Sequence, residues 1–145
     1  MKNTDIIAFA KDIKNTWHTN DPYQIANKLG IIVIDKLSEI KDFTAHTIKI
    51  DGYPTFIYIN ETYTDLSRKV LCAHELGHAL LHENCINHFA TTSKNVASNV
   101  EYEANLFAIA LLSDLADNDD LSIPLENMNN YLLKTIMDYN ITKKN

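Results

Sequence analysis

Cysteine is scarce in this 145-residue chain: only Cys72 and Cys85 occur, and no CxxC spacing is present. A disulfide scaffold is not expected, and both side chains read as thiols. Runs of basic residues are missing too. Thirteen Lys and Arg against nineteen Asp and Glu leave a net charge of −6, without the clustered positive charge that a phosphate backbone requires, so direct nucleic-acid binding is not expected. The N-terminus has no long hydrophobic run. Its apolar patch, Ile6 to Ala10, is interrupted on both sides by charge and is too short for a signal peptide or a membrane span. The expected setting is the cytoplasm, away from membranes. Repeats, low-complexity tracts and linker-like stretches are lacking, and the length suits one core. A single domain over residues 1–145 is expected. What is present, 46% apolar and 22% charged residues, is ordinary for a soluble globular protein.

Residues 5–17 place Ile6, Phe9, Ala10, Ile13 and Trp17 at helical spacing. "DPYQIANKLG" reads as a capped helix, with Asp21 at the N-cap, Pro22 at the first position and Gly30 at the stop. The β-branched run "IIVID" predicts a strand, while "FTAHTIKI" and "TFIYIN" on either side of the turn "DGYP" predict an antiparallel pair. From about Thr64 a long helix carries "DLSRKVLCAHELGHALLHE", apolar on nearly every side and so buried. Residues 84–97 read as a connecting loop, an apolar helix follows over about 98–112, and the acidic stretch "SDLADNDD" is a loop. A last amphipathic helix begins near Pro124 and sets Leu125, Met128, Leu132 and Ile136 on one stripe. The expectation is an α+β fold, a small antiparallel or mixed sheet of about three strands packed on a helical core.

The central helix contains the stretch that needs explaining, "CAHELGHALLH", with three histidines and a glutamate among leucines and alanines. On a helix, His74 and His78 stand about 6 Å apart along the axis and within roughly 40° around it, so both imidazoles can meet one ion. Burying them and Glu75 without partners would cost several kcal/mol, whereas a divalent cation compensates all three at once. The pattern is HExxH, in which two histidines bind zinc and the glutamate activates a water. Gly77, in mid-helix, costs about 1 kcal/mol relative to alanine, which a close approach by another backbone or by substrate would compensate.

A catalytic zinc needs a third protein ligand and an open position. His82 lies about 12 Å along the axis from His74, too far to share a tetrahedral ion. It is either a supporting partner of a ligand or simply buried with a partner of its own. The extended HExxHxxGxxH form fails, because Leu81 and Asn84 occupy its glycine and histidine positions. The best third ligand is Glu101, in "EYEANLFAIALL". Asn105 lies one turn further on, where it can accept a hydrogen bond from the outer nitrogen of a ligating histidine. Two alternatives stay open: Ser98 to Glu101 also forms an S-x-x-E capping box, and Glu103 is a rival ligand. His88 is a weaker candidate, and His18 and His46 read as surface or sheet residues.

Together these motifs resemble the ImmA/IrrE family of metallopeptidases. "PYQIANKLGIIV", "TFIYIN", "LCAHELGHALLH" and "EYEANLFAIALL" occur in that family's order, from about residue 22 to residue 112. HExxH alone is shared by many zinc peptidases, and its pairing with ExEANxFA is more specific. The resemblance implies a thermolysin-like helix pair around zinc, with His74, His78 and Glu101 as ligands, Glu75 as catalytic glutamate and Asn105 in a supporting position. It also implies a cytoplasmic protease acting on a helix-turn-helix repressor, often one encoded beside it on a prophage or integrative element. The chain departs from the family at Leu111-Leu112-Ser113-Asp114, where members usually read LLMP.

Under that reading Glu75 accepts a proton from a zinc-activated water and hands it to the leaving amine, and "TFIYI", if it forms a sheet edge beside the cleft, pairs with an extended substrate. A reading from a different class is a non-catalytic protein that binds a repressor or toxin and uses zinc only structurally; the acidic surface suits a basic partner. A third is a zinc hydrolase acting on a small amide.

Overall fold

The first helix, α1 (Asn3–Trp17), starts two residues before its apolar periodicity and buries Ile6, Ile7, Ala10 and Ile13. It belongs to a computed structural model that describes residues 1–37, 44–82, 94–113 and 123–145, with the backbone alone over 94–98. The next helix, α2 (Pro22–Lys28), opens as its sequence predicts: Asp21 accepts a hydrogen bond from the Tyr23 backbone N–H and Pro22 takes the first turn. Beyond its end, Gly30 has φ 75°, a left-handed conformation that glycine reaches without steric strain.

Three strands follow: β1 (Ile32–Lys36), β2 (Ala45–Ile48) and β3 (Phe56–Asn60). They form a mixed sheet in the order β1-β3-β2, with β3 parallel to β1 and antiparallel to β2. The hairpin around "DGYP" is therefore present, but β3 is the central strand, so "TFIYI" is not a sheet edge. The reason is burial: Ile57 and Ile59 are fully enclosed, and a strand flanked on both sides meets that need best. The edge position beside the helical layer falls to β2.

Thr64 caps α3 (Asp65–Leu81) by accepting from the Ser67 N–H, and α3 is buried from Val70 to Ala79 but for His74, which is only partly exposed. The following helix, α4 (Lys94–Leu111), begins about a turn before residue 98. Ser98 is thus inside the helix and Glu101 lies beyond its first turn, which removes the capping-box alternative for that glutamate. Pro124 opens only a short 3-10 turn, Leu125–Asn127. The last helix, α5 (Asn130–Tyr139), starts later than predicted, because Asn129 supplies a side-chain cap to the Leu132 N–H and Pro124 does not. Its buried residues are Leu133, Ile136 and Met137, and of the predicted stripe Met128 and Ile136 are in the core with Leu125 and Leu132 packed against it. The architecture is α+β, a small sheet on one side of a helical core. Residues 83–93 and 114–122, with Cys85, His88 and most of the acidic loop, lie outside the described residues. None of the described helices is long and apolar enough to cross a membrane.

The junction of α3 with α4 explains Gly77. A Cβ at this position would lie 3.1 Å from the Ala104 Cα, 3.2 Å from the Ala104 carbonyl oxygen and 3.2 Å from Phe107 Cδ1. Backbone, not substrate, makes the close approach. Helix propensity favours Gly77→Ala by about 1 kcal/mol, while overpacking costs about 1–3 kcal/mol when the neighbour cannot retreat. Two of the three contacts are backbone atoms, so overpacking wins. Gly77→Ala is expected to lower the thermal midpoint of the metal-free protein; a raised midpoint would show that α4 yields freely.

Candidate metal centre

Three side chains from two helices converge. His74 and His78 follow one another on consecutive turns of α3, and Glu101 reaches them from α4. Glu101 Oε2 lies 3.0 Å from His74 Nε2, Glu101 Oε1 lies 2.9 Å from His78 Nε2, and the two Nε2 atoms are 3.2 Å apart. Donors bound tetrahedrally at about 2.0–2.1 Å from one ion stand roughly 3.3 Å from one another. The observed spacing is close to that, and two imidazoles with a carboxylate are a donor set that zinc accepts. Among the described residues this is the group of His, Cys, Asp and Glu side chains able to hold a metal ion. Glu103 is not part of it.

Glu75 sits beside the group, with Oε2 3.8 Å from His74 Nε2. Its carboxylate is buried, and Oε1 accepts a hydrogen bond from Thr47 Oγ1 at 2.9 Å. The same hydroxyl lies 3.1 Å from the Glu75 carbonyl oxygen. Two residues on, Lys49 Nζ donates to the carbonyl oxygens of Ala79 at 2.8 Å and His82 at 3.0 Å, closing the C-terminal turn of α3 where cations are favoured. Neither Thr47 nor Lys49 is evident from the sequence motifs. The available signal is the alternation that turns Ala45 and Thr47 inward, leaving a hydroxyl in an apolar layer that needs a partner.

His82 has partners on both ring nitrogens: Nδ1 is 3.1 Å from His78 Nδ1, and Nε2 is 3.1 Å from Glu103 Oε1. Asn105 is buried and near enough to His74 to favour its charged form, while its amide nitrogen makes a long contact, 3.4 Å, with Asn130 Oδ1. His74 Nδ1 is enclosed and has no partner of regular hydrogen-bond geometry among the described residues. Cys72 is a free, buried thiol whose pKa burial pushes well up, which disfavours the thiolate. His18 is exposed, and His46 stacks on Tyr58 in the sheet, with ring centroids 5.0 Å apart.

A small mixed sheet, a buried HExxH helix and a second helix whose glutamate faces both histidines define a domain of the metallopeptidase class. The chain belongs to the Peptidase_M78 family, described as the IrrE N-terminal-like domain, whose profile matches residues 8–132. The resemblance read from the motifs is thereby shown. A relative named "Uncharacterized immunity region protein 2", from Bacillus phage phi105, is 33% identical over 112 residues, covering 75% of this chain and 68% of the relative. No solved structure matches significantly.

The electrostatics of the metal-free group follow from its contacts. Partial burial opposes the charge on Glu101, but hydrogen bonds with His74 and His78 outweigh it and hold the carboxyl far below the usual carboxylate range. Burial likewise opposes a charged His74, yet its contact with Glu101 and the charges of Glu75 and Glu101 raise its pKa above the ordinary value. Burial dominates at His82 and lowers its pKa despite Glu103. Linkage then gives the signs. The Glu101 contribution is complete above its unfolded value of about 4.5 and declines in acid. That of His74 is complete below about 6.5 and declines as pH rises through the raised folded value. His82, with its lowered value, acts in the opposite sense and costs stability below about 6.5; the losses that belong to the Glu101–His74 pair, in acid and at raised pH, should therefore appear as the difference between chelator-treated wild type and Glu101→Gln, which lacks them. Denaturant midpoints from pH 4 to 8 check this, and equal profiles for the two proteins would count against the pairing.

Proposed function

We propose that the protein is a zinc-dependent endopeptidase whose substrate is a helix-turn-helix repressor of a prophage or mobile element, met in the cytoplasm. One observation carries the reading: His74, His78 and Glu101 converge beside a buried glutamate, Glu75, that is not one of the converging donors. His74 Nε2, His78 Nε2 and the Glu101 carboxylate are the groups that would hold the ion. Bound there, zinc supplies a Lewis acid that acidifies a water and polarises a peptide carbonyl.

The rest falls to the protein. Thr47 holds Glu75 Oε1, and Oε2, on the His74 side, is the oxygen placed to take the proton of the attacking water and return it to the leaving amide nitrogen. Among the described strands, β2 is the one at the sheet edge beside α3, and its free side can pair with an extended peptide next to Glu75. The role first considered for "TFIYI" passes to this strand.

Openness favours catalysis over a purely structural ion. The Glu101 side chain is 43% exposed, so one side of the group meets solvent, where a catalytic ion keeps its open position. Support for the substrate class comes from two directions. The net charge of −6 suits a basic DNA-binding partner, and the phi105 relative is named for an immunity region, a setting in which repressors act.

The test is incubation of the purified, zinc-loaded protein with the repressor encoded nearest to it. Discrete fragments that a chelator prevents are expected; an intact, stable complex would favour the non-catalytic binder. Glu75→Gln should keep zinc and fold while cleavage falls by about 10²–10⁴, and His74→Ala should lose the metal. Thr47→Val, close in shape but without the hydroxyl, should lower turnover and leave KM nearly unchanged, with Thr47→Ser restoring it. Full activity in Glu75→Gln would refute the mechanism.

A further inference from the structure

We propose that Glu103, acting through His82, is a positioning residue that fixes the tautomer of His78 and so presents the lone pair of its Nε2 to the metal. The inference rests on the reading of His78 as a ligand, and it gives a role to the glutamate that stands outside the converging group.

Three contacts form a chain: the Glu101 side of His78 at Nε2, then His78 Nδ1 to His82 Nδ1 at 3.1 Å, then His82 Nε2 to Glu103 Oε1 at 3.1 Å. Its direction follows from the chemistry of the end groups. A nitrogen that ligates must offer a lone pair, so neutral His78 carries its proton on Nδ1. His82 Nδ1 faces that proton and must accept it. Neutral His82 then has its proton on Nε2, pointing at a carboxylate, which only accepts. Each link therefore runs from donor to acceptor and terminates on Glu103.

The opposite arrangement is incompatible with ligation. If His82 carried a proton on Nδ1, His78 Nδ1 would have to accept, its own proton would move to Nε2, and that nitrogen could not bind an ion. An anion at the far end of the chain disfavours this state, because Glu103 needs a donor facing it. It also raises the basicity of His78 as a ligand. The chain is sheltered, with the His82 and Glu103 side chains 13% and 30% exposed, so water competes only weakly for these hydrogen bonds.

The test uses zinc alone as probe and needs no substrate. Zinc affinity is measured by chelator competition for the wild-type chain, Glu103→Ala, Glu103→Gln, His82→Ala and the double variant His82→Ala/Glu103→Ala. Loss of such a partner weakens metal affinity by about 10–100-fold, and that range is expected for Glu103→Ala. Glu103→Gln retains a carbonyl acceptor and should lose less. If Glu103 acts through His82, the double variant should bind no more weakly than His82→Ala alone. Wild-type affinity in Glu103→Ala, or additive losses in the double variant, would overturn the proposal. A second measurement requires no substitution: long-range 1H–15N spectra of the zinc-loaded wild-type protein should show His82 neutral and protonated at Nε2. Protonation at Nδ1 would overturn the relay even if every variant failed to fold. A wild-type chain that takes up no zinc would overturn the underlying metal reading, an outcome distinct from failure of the relay alone.

Discussion

The contact of α3 with α4 at Gly77 and Ala104 sets the distance on which the site depends. With no side chain on Gly77, the Ala104 backbone comes so near α3 that a Cβ there would lie 3.1 Å from the Ala104 Cα, tighter than ordinary contact. One turn of α4 separates Ala104 from Glu101, and one turn of α3 separates His74 from His78. Separating the two helices would lengthen the 2.9 and 3.0 Å spacings of Glu101 from the two imidazoles, while the histidine pair, both on α3, would keep its own. Packing and chemistry are thus joined at a single point, and the propensity cost of a mid-helix glycine is offset by the contact it permits.

On its other side α3 is held by β2. Thr47 on β2 and Lys49, just past the strand's end, are two positions apart, about 6.8 Å in extended chain, and their partners Glu75 and Ala79 are one helical turn apart, about 6 Å. The near match of these repeats lets Thr47 and Lys49 fasten consecutive turns of α3. The first holds one oxygen of the buried glutamate and the second satisfies carbonyls at the helix end. Family membership supplies the class of protein, while this local geometry explains why Glu75 stays apart from the converging donors yet close to His74.

Much of this was legible from residue patterns that act locally. HExxH declares its geometry through helix periodicity alone, and Asp21-Pro22 with Gly30 brackets α2 by rules that need no tertiary information. Glu101 stood out because it lay on a helix with Asn105 and matched a family motif. The features that escaped are those set by neighbours distant in sequence. Thr47 and Lys49 are ordinary strand residues until α3 is laid beside them, and Glu103 was visible only as a rival ligand, its partner His82 being 21 residues away. Pro124 and Asn129 both signal a helix start, and α5 begins at the one whose side chain caps a backbone N–H. The central place of β3 depended on which strand's neighbours closed over Ile57 and Ile59, a question of assembly rather than of pattern.

The central claim is that one ion joins two turns of α3 to Glu101. X-ray absorption at the zinc edge of the loaded protein addresses it most directly. The account predicts one zinc per chain, with scattering from two imidazoles, oxygen ligands completing the shell and no sulfur. A shell containing sulfur, or one with fewer than two imidazoles, would contradict it.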